Sequence, residues 1–407
     1  MAQRVKTPFW KNFIFVQEAI LSTIQFALSF VKKSLIFVFV ILFRHWPKSK
    51  RKIVLFDFYG NSWYLLKYIE YRYPKVLKIF DIHIFSKKTF LKDIIIKPFL
   101  VITDSPIQDY LGNIVASGAK VMYLGHGIGP KKGGVSPKFS KRIYRILYPL
   151  MSYDLFVCPN TLYIEKMYKK TFYLQQAKII ISNYPRNMIF LDKKFYEYCI
   201  NQGNSFERKI YKFLLSKKKE GYKLIFILPT WRKDIKQYEK VVKDLIDVIK
   251  NVNRIYGKIL FILKLHPHPY TRFIINKIKN LKGGNVIVLP FRFKLYQILP
   301  LADLIITDYS SVSSDALLGN ILTIFYVPDL SDFEKELHGL HQFPGIIEKN
   351  KTRVVNLIQQ LLYETKVYQQ YLNKIKFLTN ILFEDKRCDS ILKVIVEFIK
   401  EKLQNKR

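Results

Sequence analysis

His126 lies between Gly125 and Gly127 at the end of an apolar run, KVMYLG at 120–125, and Lys131 and Lys132 follow in the same Gly-rich segment. Glycines on both sides let the backbone turn sharply and let a ligand come close, while the imidazole projects from the end of a strand. With an ordinary pKa near ~6.5, such a histidine is largely neutral at cytoplasmic pH and suited to take a proton from an attacking hydroxyl. A histidine that only hydrogen-bonds within a turn is the alternative. The lysines fit either phosphate neutralisation or a solvated loop, and Lys132 fits the loop better. A histidine pair, His266 and His268 in KLHPHP at 264–269, closes another apolar run, and its prolines end regular strand pairing. An H-x-H pair can begin a metal site, but no further ligand types cluster nearby in sequence. Phosphate binding or proton donation by His266 is the better fit, and no metal is called for.

ILPTWRKD at 227–234 adds Thr230, a donor for an oxyanion, and Arg232, whose planar fork of donors suits phosphate better than a lysine does. A structural ion pair would use the same arginine. NYPRN at 183–187 is less informative still. The richest stretch is DLIITDYSSVSSDALLGNILTIFYVPD at 303–329, an apolar strand running into Asp308, Tyr309, Ser310 and Ser311, then a short helix and a second strand. Unpartnered N–H groups at the first turn of a helix attract anions, so Asp308, Ser310 and Ser311 mark a phosphate site. Helix capping, the usual work of Ser and Asp, is the competing account.

These residues need rigid elements behind them, and the apolar runs supply the pattern. KIVLFDF (52–58), DIHIF (81–85), FLVIT (99–103), KVMYLG (120–125), DLFVC (154–158) and KIIIS (178–182) form one series. KLIFIL (223–228), KILFILKL (258–265), NVIVLP (285–290), DLIIT (303–307) and LTIFYV (322–327) form a second. Short continuous apolar strands alternating with amphipathic spacers indicate parallel sheets buried on both faces. At 407 residues the chain exceeds one core, and the polar stretch NQGNSFERK at 201–209 is the natural boundary between two domains.

Lys and Arg number 68 against 31 Asp and Glu, a net charge of +37 spread along the whole length. Such a surface seeks anions: nucleic acid, an acidic membrane face or a polyanionic substrate. No RRM, KH, zinc-finger or helix-turn-helix signature supports nucleic acid. The three cysteines, Cys158, Cys199 and Cys388, are far apart and suggest neither disulfides nor zinc, which fits a reducing cytoplasm. Near the N-terminus, 12–31 and 34–43 are apolar but interrupted by Lys32 and Lys33. Paired lysines near mid-bilayer are costly, so an interfacial or shallow anchor is expected rather than a span, and no cleavage site follows. Arg44, Lys48, Lys50, Arg51 and Lys52 then suit anionic headgroups. A buried helical hairpin is the alternative for 12–43.

In order and spacing, these segments resemble the CDP-glycerol glycerophosphotransferase family, the teichoic acid primases and polymerases. His126-Gly127 with Lys131 is similar to its HGT-P-x-K element, Tyr184-Pro185-Arg186-Asn187 to its G-Y-P-R-N turn, and Pro229-Thr230-Trp231-Arg232 to its P-T-W-R strand end. His266-Pro267 resembles its H-P-[RK] loop, and Asp308-Tyr309-Ser310-Ser311 with Asp315, Phe325-Tyr326 and Asp329-Leu330 its D-Y-S-S…D…FY…DL signature. Ile128 replaces the Thr of HGT, His268 stands where Arg or Lys is usual, and His338-Gly339-Leu340 replaces an Arg-Gly-aromatic element. These departures bear on acceptor choice.

The resemblance implies an α/β fold of GT-B type, two Rossmann-like doubly wound domains facing across a cleft, with an N-terminal helical membrane-associating segment. The corresponding division is 1–50 for that segment, 51–205 for an acceptor domain, 206–375 for a CDP-alditol-binding domain and 376–407 for a helical tail. It implies transfer of glycerol phosphate, or a related alditol phosphate, from CDP-glycerol or CDP-ribitol to a lipid-linked glycan or a growing polymer, releasing CMP. His126 and His266 would be catalytic, and Lys131, Thr230, Arg232, Asp308, Ser310 and Ser311 would hold substrate, without a metal or cofactor. A peripheral place on the cytoplasmic side of the cell membrane follows, with an anionic membrane surface as partner and nucleic acid excluded. A GT-B nucleotide-sugar glycosyltransferase of capsule synthesis is the alternative, and a membrane-bound nucleic-acid-binding protein a more remote one.

Overall fold

The computed structural model describes residues 38–404 apart from 40, 41, 44, 59, 106, 108–109, 130–152, 165–176, 231, 233, 266–284 and 334–344. Two six-stranded parallel sheets carry the fold. The first contains β1 (Lys52–Phe56), β2 (Asp81–Ile84), β3 (Leu100–Thr103), β4 (Lys120–Tyr123), β5 (Leu155–Cys158) and β6 (Lys178–Ile181), in the order β2-β1-β3-β4-β5-β6. The second contains β7 (Lys223–Leu228), β8 (Ile259–Leu263), β9 (Val286–Val288), β10 (Leu304–Thr307), β11 (Leu322–Tyr326) and β12 (Ile346–Glu348), in the order β12-β11-β10-β7-β8-β9. Strands β1, β3, β5, β8, β10 and β11 are buried at every residue, as their unbroken Val, Ile, Leu and Phe runs require. The α/β architecture of two parallel sheets expected from the sequence is therefore present.

Both sheets reverse direction of growth once. In the first, the chain leaves β1 toward β2 on one side and β3 on the other; in the second, it leaves β7 toward β8 and then returns to place β10 on the opposite flank. Ligands of such sheets sit outside the carboxyl ends of the strands at this reversal. Register lines those ends up. Phe56 pairs Thr103 and Thr103 pairs Tyr123, so Asp57, Asp104 and Leu124 leave the first sheet side by side. Leu228 pairs Thr307, so Pro229 and Asp308 leave the second together.

Helices cover the faces. Ile235–Ile255 starts at Asp234, whose side chain accepts from the Lys236 N–H, and it buries Tyr238, Val241, Val242, Leu245, Val248, Ile249 and Val252, one stripe of a 3.6-residue period. Ser205–Lys219 opens with a capping box between Asn204 and Glu207 at the junction between sheets. The helix Thr365–Leu382 runs past 375 and stays with the second sheet. The helix Asp389–Gln404 packs back on the first sheet. Tyr68 Oη donates to Asp389 at 2.9 Å, Phe398 stacks on Phe99, and Ile391, Leu392 and Ile395 are buried, each worth ~1.5–3 kcal/mol. Among the described residues no helix is long and apolar enough to cross a membrane, and the run at 12–31 lies outside them.

Candidate active site

A cleft of about 820 Å³ lies between the carboxyl ends of the two sheets. The turn after β4 brings His126 to one wall, and the loops after β7 and β10 bring Thr230, Ser310 and Ser311 to the other. Four of the eight residues expected from the sequence thus share one cavity. Lys131 and His266 lie outside the described residues. Asp308 and Arg232 sit behind the wall, 1% exposed each, and do not line it.

The two walls touch at the His126 turn. Its carbonyl accepts from Arg186 Nη2 at 2.8 Å and from Ser311 Oγ at 3.3 Å, so one peptide group of the first domain is held by residues of both. Gly127 is required here. Its φ is +115°, and a Cβ would stand 2.6 Å from Arg186 Nη2 and 2.7 Å from Ser311 Oγ. Ser311 occupies the N-cap position of the helix Val312–Ala316 without a side-chain cap hydrogen bond, its hydroxyl being turned to His126 instead. Ser310 Oγ does accept from the Val312 N–H at 3.3 Å. With only five residues in that helix, its dipole contributes little and an anion would depend on hydroxyls and nearby cations.

His126 itself is half-buried. Its Nδ1 is 2.9 Å from Tyr123 Oη, and for Nε2 to act as a base Nδ1 must carry the proton and donate to that phenol. Burial, and then the neighbouring Arg186 guanidinium, pull its pKa down to about 4, against a weaker upward pull from Asp315. The imidazole is therefore neutral at ordinary pH.

Arg186 ties the domains together. It is 3% exposed, forms a 2.6 Å ion pair with Asp315 Oδ2 and lies 4.6 Å over the Tyr296 ring. Asp315 also accepts from Asn187 Nδ2 at 2.9 Å and from Tyr296 Oη. Burial disfavours the guanidinium charge, but Asp315 and Tyr296, with a smaller pull from Asp104, together outweigh it and the arginine stays protonated. Arg186 and Tyr296 line the cleft. In the sequence Arg186 and Asp315 are marked only by the family pattern, and nothing marks Tyr296.

Arg232 is placed otherwise than a phosphate fork requires. Its Nε donates to Asp329 at 2.7 Å and its Nη1 to Asp308 at 2.7 Å and to the Thr230 carbonyl at 2.8 Å, over the Tyr309 ring at 4.9 Å. Asp308 further accepts from the N–H groups of Thr230 and Tyr309. The pair clamps the ends of β7 and β10, so both residues hold the crevice rather than its contents.

Cationic groups on the cleft come instead from Arg186, Lys264, Arg292 and Lys294. Lys264 follows β8, donates to the Phe291 carbonyl at 3.1 Å, and burial pushes its pKa down to about 8. A basic cavity with hydroxyls at a Rossmann reversal, facing a neutral histidine, can hold a diphosphate and accept a proton beside it. Among the described residues no cluster of His, Cys, Asp and Glu could hold a metal ion.

This combination defines an α/β protein of two parallel sheets whose carboxyl ends enclose a basic, hydroxyl-bearing cleft. The chain belongs to the CDP-glycerol:poly(glycerophosphate) glycerophosphotransferase family, whose profile matches residues 40–397. It is similar to the teichoic acid poly(glycerol phosphate) polymerase of Bacillus spizizenii, 26% identical over 257 residues, which cover 61% of this chain and 59% of that protein. The teichoic acid ribitol-phosphate primase of the same organism is 27% identical over 196 residues, 47% of each chain. The chain spans about half the length of the curated relatives it matches. In fold it is similar to the wall teichoic acid polymerase TagF in a CDPG-soaked structure, with a TM-score of 0.64 at 18% identity, covering 94% of this chain and 99% of that one.

Proposed function

We propose that this protein transfers an alditol phosphate, glycerol phosphate in the first instance, from its CDP-activated form to a hydroxyl of a lipid-linked glycan or a growing poly(alditol phosphate), releasing CMP. The observation that carries this reading is the placement of neutral His126 across one cleft from Thr230, Ser310 and Ser311, at the reversal point of the second sheet. Family membership supplies the donor class. In the proposed reaction His126 Nε2 takes the proton of the acceptor hydroxyl, whose oxygen attacks the β-phosphorus. The bond from that phosphorus to the bridging oxygen breaks, and CMP leaves with the electron pair. Phosphoryl transfer asks for positioning and charge stabilisation rather than covalent help. Ser310, Ser311, Thr230 and Lys264 supply donors on the diphosphate side, and the diphosphate's own charge draws the His126 pKa upward toward the range in which a base is effective. His266 and Lys131 belong to the same proposal as a second catalytic histidine and a phosphate-neutralising lysine.

The lipid-linked acceptor implies a peripheral site on the cytoplasmic face of the cell membrane. Supporting this, Leu42 and Trp46 are exposed beside Leu91 and Ile95, with Trp46 Nε1 donating to the Ile95 carbonyl at 3.0 Å, and Lys48, Lys50 and Arg51 stand next in the chain. Purified full-length protein incubated with a lipid-linked acceptor and CDP-glycerol, CDP-ribitol or a nucleotide sugar tests the chemistry. CMP release from a CDP-alditol is expected, abolished to ~10²- to 10⁴-fold lower turnover by His126→Ala. Turnover with a nucleotide sugar alone would overturn the reading. Flotation with vesicles containing anionic lipid tests the location.

A further inference from the structure

Asp57 is the single carboxylate among the described residues that line the cleft, whose other charged lining includes Arg186, Lys264, Arg292 and Lys294. A carboxylate repels phosphate, so it has no place against the diphosphate or the charged body of a polyanionic acceptor. It suits a neutral, hydroxyl-bearing part. Its position agrees: Asp57 leaves β1 at the reversal point of the first sheet, level with Asp104 at the end of β3, and the His126 turn leaves β4 on the far side of β3. Two strand spacings put the two backbones ~10 Å apart, and both residues line the same cleft.

The turn carrying Asp57 is built to hold it still. Asp57 Oδ1 accepts from the Trp63 N–H at 3.0 Å, while Asp104 accepts from the N–H groups of Phe58 and Asn61 at 2.9 Å each. Asn61 Nδ2 then donates to the Gly125 carbonyl at 2.7 Å, which fixes this turn to the residue before His126.

We propose that Asp57 is an acceptor-recognition residue: it engages a second hydroxyl of the acceptor's terminal polyol and so directs the neighbouring hydroxyl toward His126 Nε2. Burial raises the Asp57 carboxyl above its usual range, against the pull of the Trp63 and Gly60 N–H groups, Lys294 and Asp104, which sharpens its demand for a donating partner. The inference rests on the alditol-phosphate transfer proposed above.

The test uses the full chain, CDP-glycerol, and two soluble acceptor analogues whose last unit is glycerol or propane-1,3-diol, the latter lacking the middle hydroxyl. With Asp57→Asn, the KM for the glycerol-ended acceptor is expected to rise ~10- to 100-fold, as for loss of a charge-assisted hydrogen bond. The Kd for CDP-glycerol, read by titration, should stay within ~2-fold of wild type, and the propanediol-ended acceptor should lose little. Equal losses on both acceptors, an unchanged KM, or a matching loss of donor affinity would each overturn the assignment. Should Asp57→Asn not fold, Asp57→Glu carries the same comparison, and an unchanged preference between the two acceptors would overturn it. Failure of the transfer reading would show separately, as a wild-type protein inert toward CDP-glycerol with either acceptor.

Discussion

Arg186 and Arg232 are alike in almost every local respect. Both guanidiniums are buried, both grip a carboxylate at 2.6–2.7 Å, and both lie under 5 Å from a tyrosine ring. They differ in what their carboxylates belong to. Arg232 joins Asp308 and Asp329, all within the second domain, and closes the base of the crevice; Arg186 reaches from the first domain to Asp315 of the second and faces the cleft beside His126. An arginine that looks like a phosphate fork in sequence can be consumed by its own scaffold, while one that looks ordinary can line the cleft beside the histidine.

Substitutions that treat the two alike would break this comparison. Arg232→Met removes the cation from two buried carboxylates at once and is expected to cost ~3–5 kcal/mol, read as a lowered denaturant midpoint. Arg186→Met strands only Asp315, which keeps Asn187 and Tyr296 as donors, so ~1–3 kcal/mol is expected, with a fall in kcat that exceeds any change in donor affinity. Equal destabilisation, or unaltered turnover in the Arg186 variant, would contradict the division of labour. Gly127→Ala should cost ~1–3 kcal/mol in backbone strain, and it should lower transfer because the two walls can no longer approach at Ser311.

Acidity gives a finer measure. A base must be unprotonated, and His126 is pulled to about 4, so kcat/KM for the free enzyme should show no acid limb near 6.5 and should fall only as pH drops toward about 4. Arg186 is the charged neighbour that depresses this value, so Arg186→Met should move the limb to higher pH, whereas Arg232→Met should leave it in place. At the other end, Lys264 loses its proton as pH rises through about 8, so donor affinity should weaken there, and Lys264→Met should flatten that alkaline limb. A limb that ignores these substitutions would assign it to other groups.

The strands were legible because each buried one is an uninterrupted apolar run, and all eleven runs marked in the sequence are strands. Strand β12 escaped because Ile346–Glu348 is three residues long and half-exposed at the sheet edge. His126, Thr230, Ser310 and Ser311 were legible because a single rule, chemistry at the carboxyl ends of parallel strands, places them. The same rule marks Asp57, which follows the run KIVLF, but no motif surrounds it in the sequence. The roles of the arginines were not legible, since Asp315 lies 129 positions from Arg186 and Asp329 lies 97 from Arg232, and nothing local announces either pairing.

The return of Asp389–Gln404 to the first domain gives the molecule an order of assembly. During synthesis the first sheet emerges early, yet the ledge that receives Ile391, Leu392, Ile395 and Phe398 stays uncovered until the second domain has been made. The apolar seam of the first sheet is thus closed by residues that follow the whole of the second sheet in the chain.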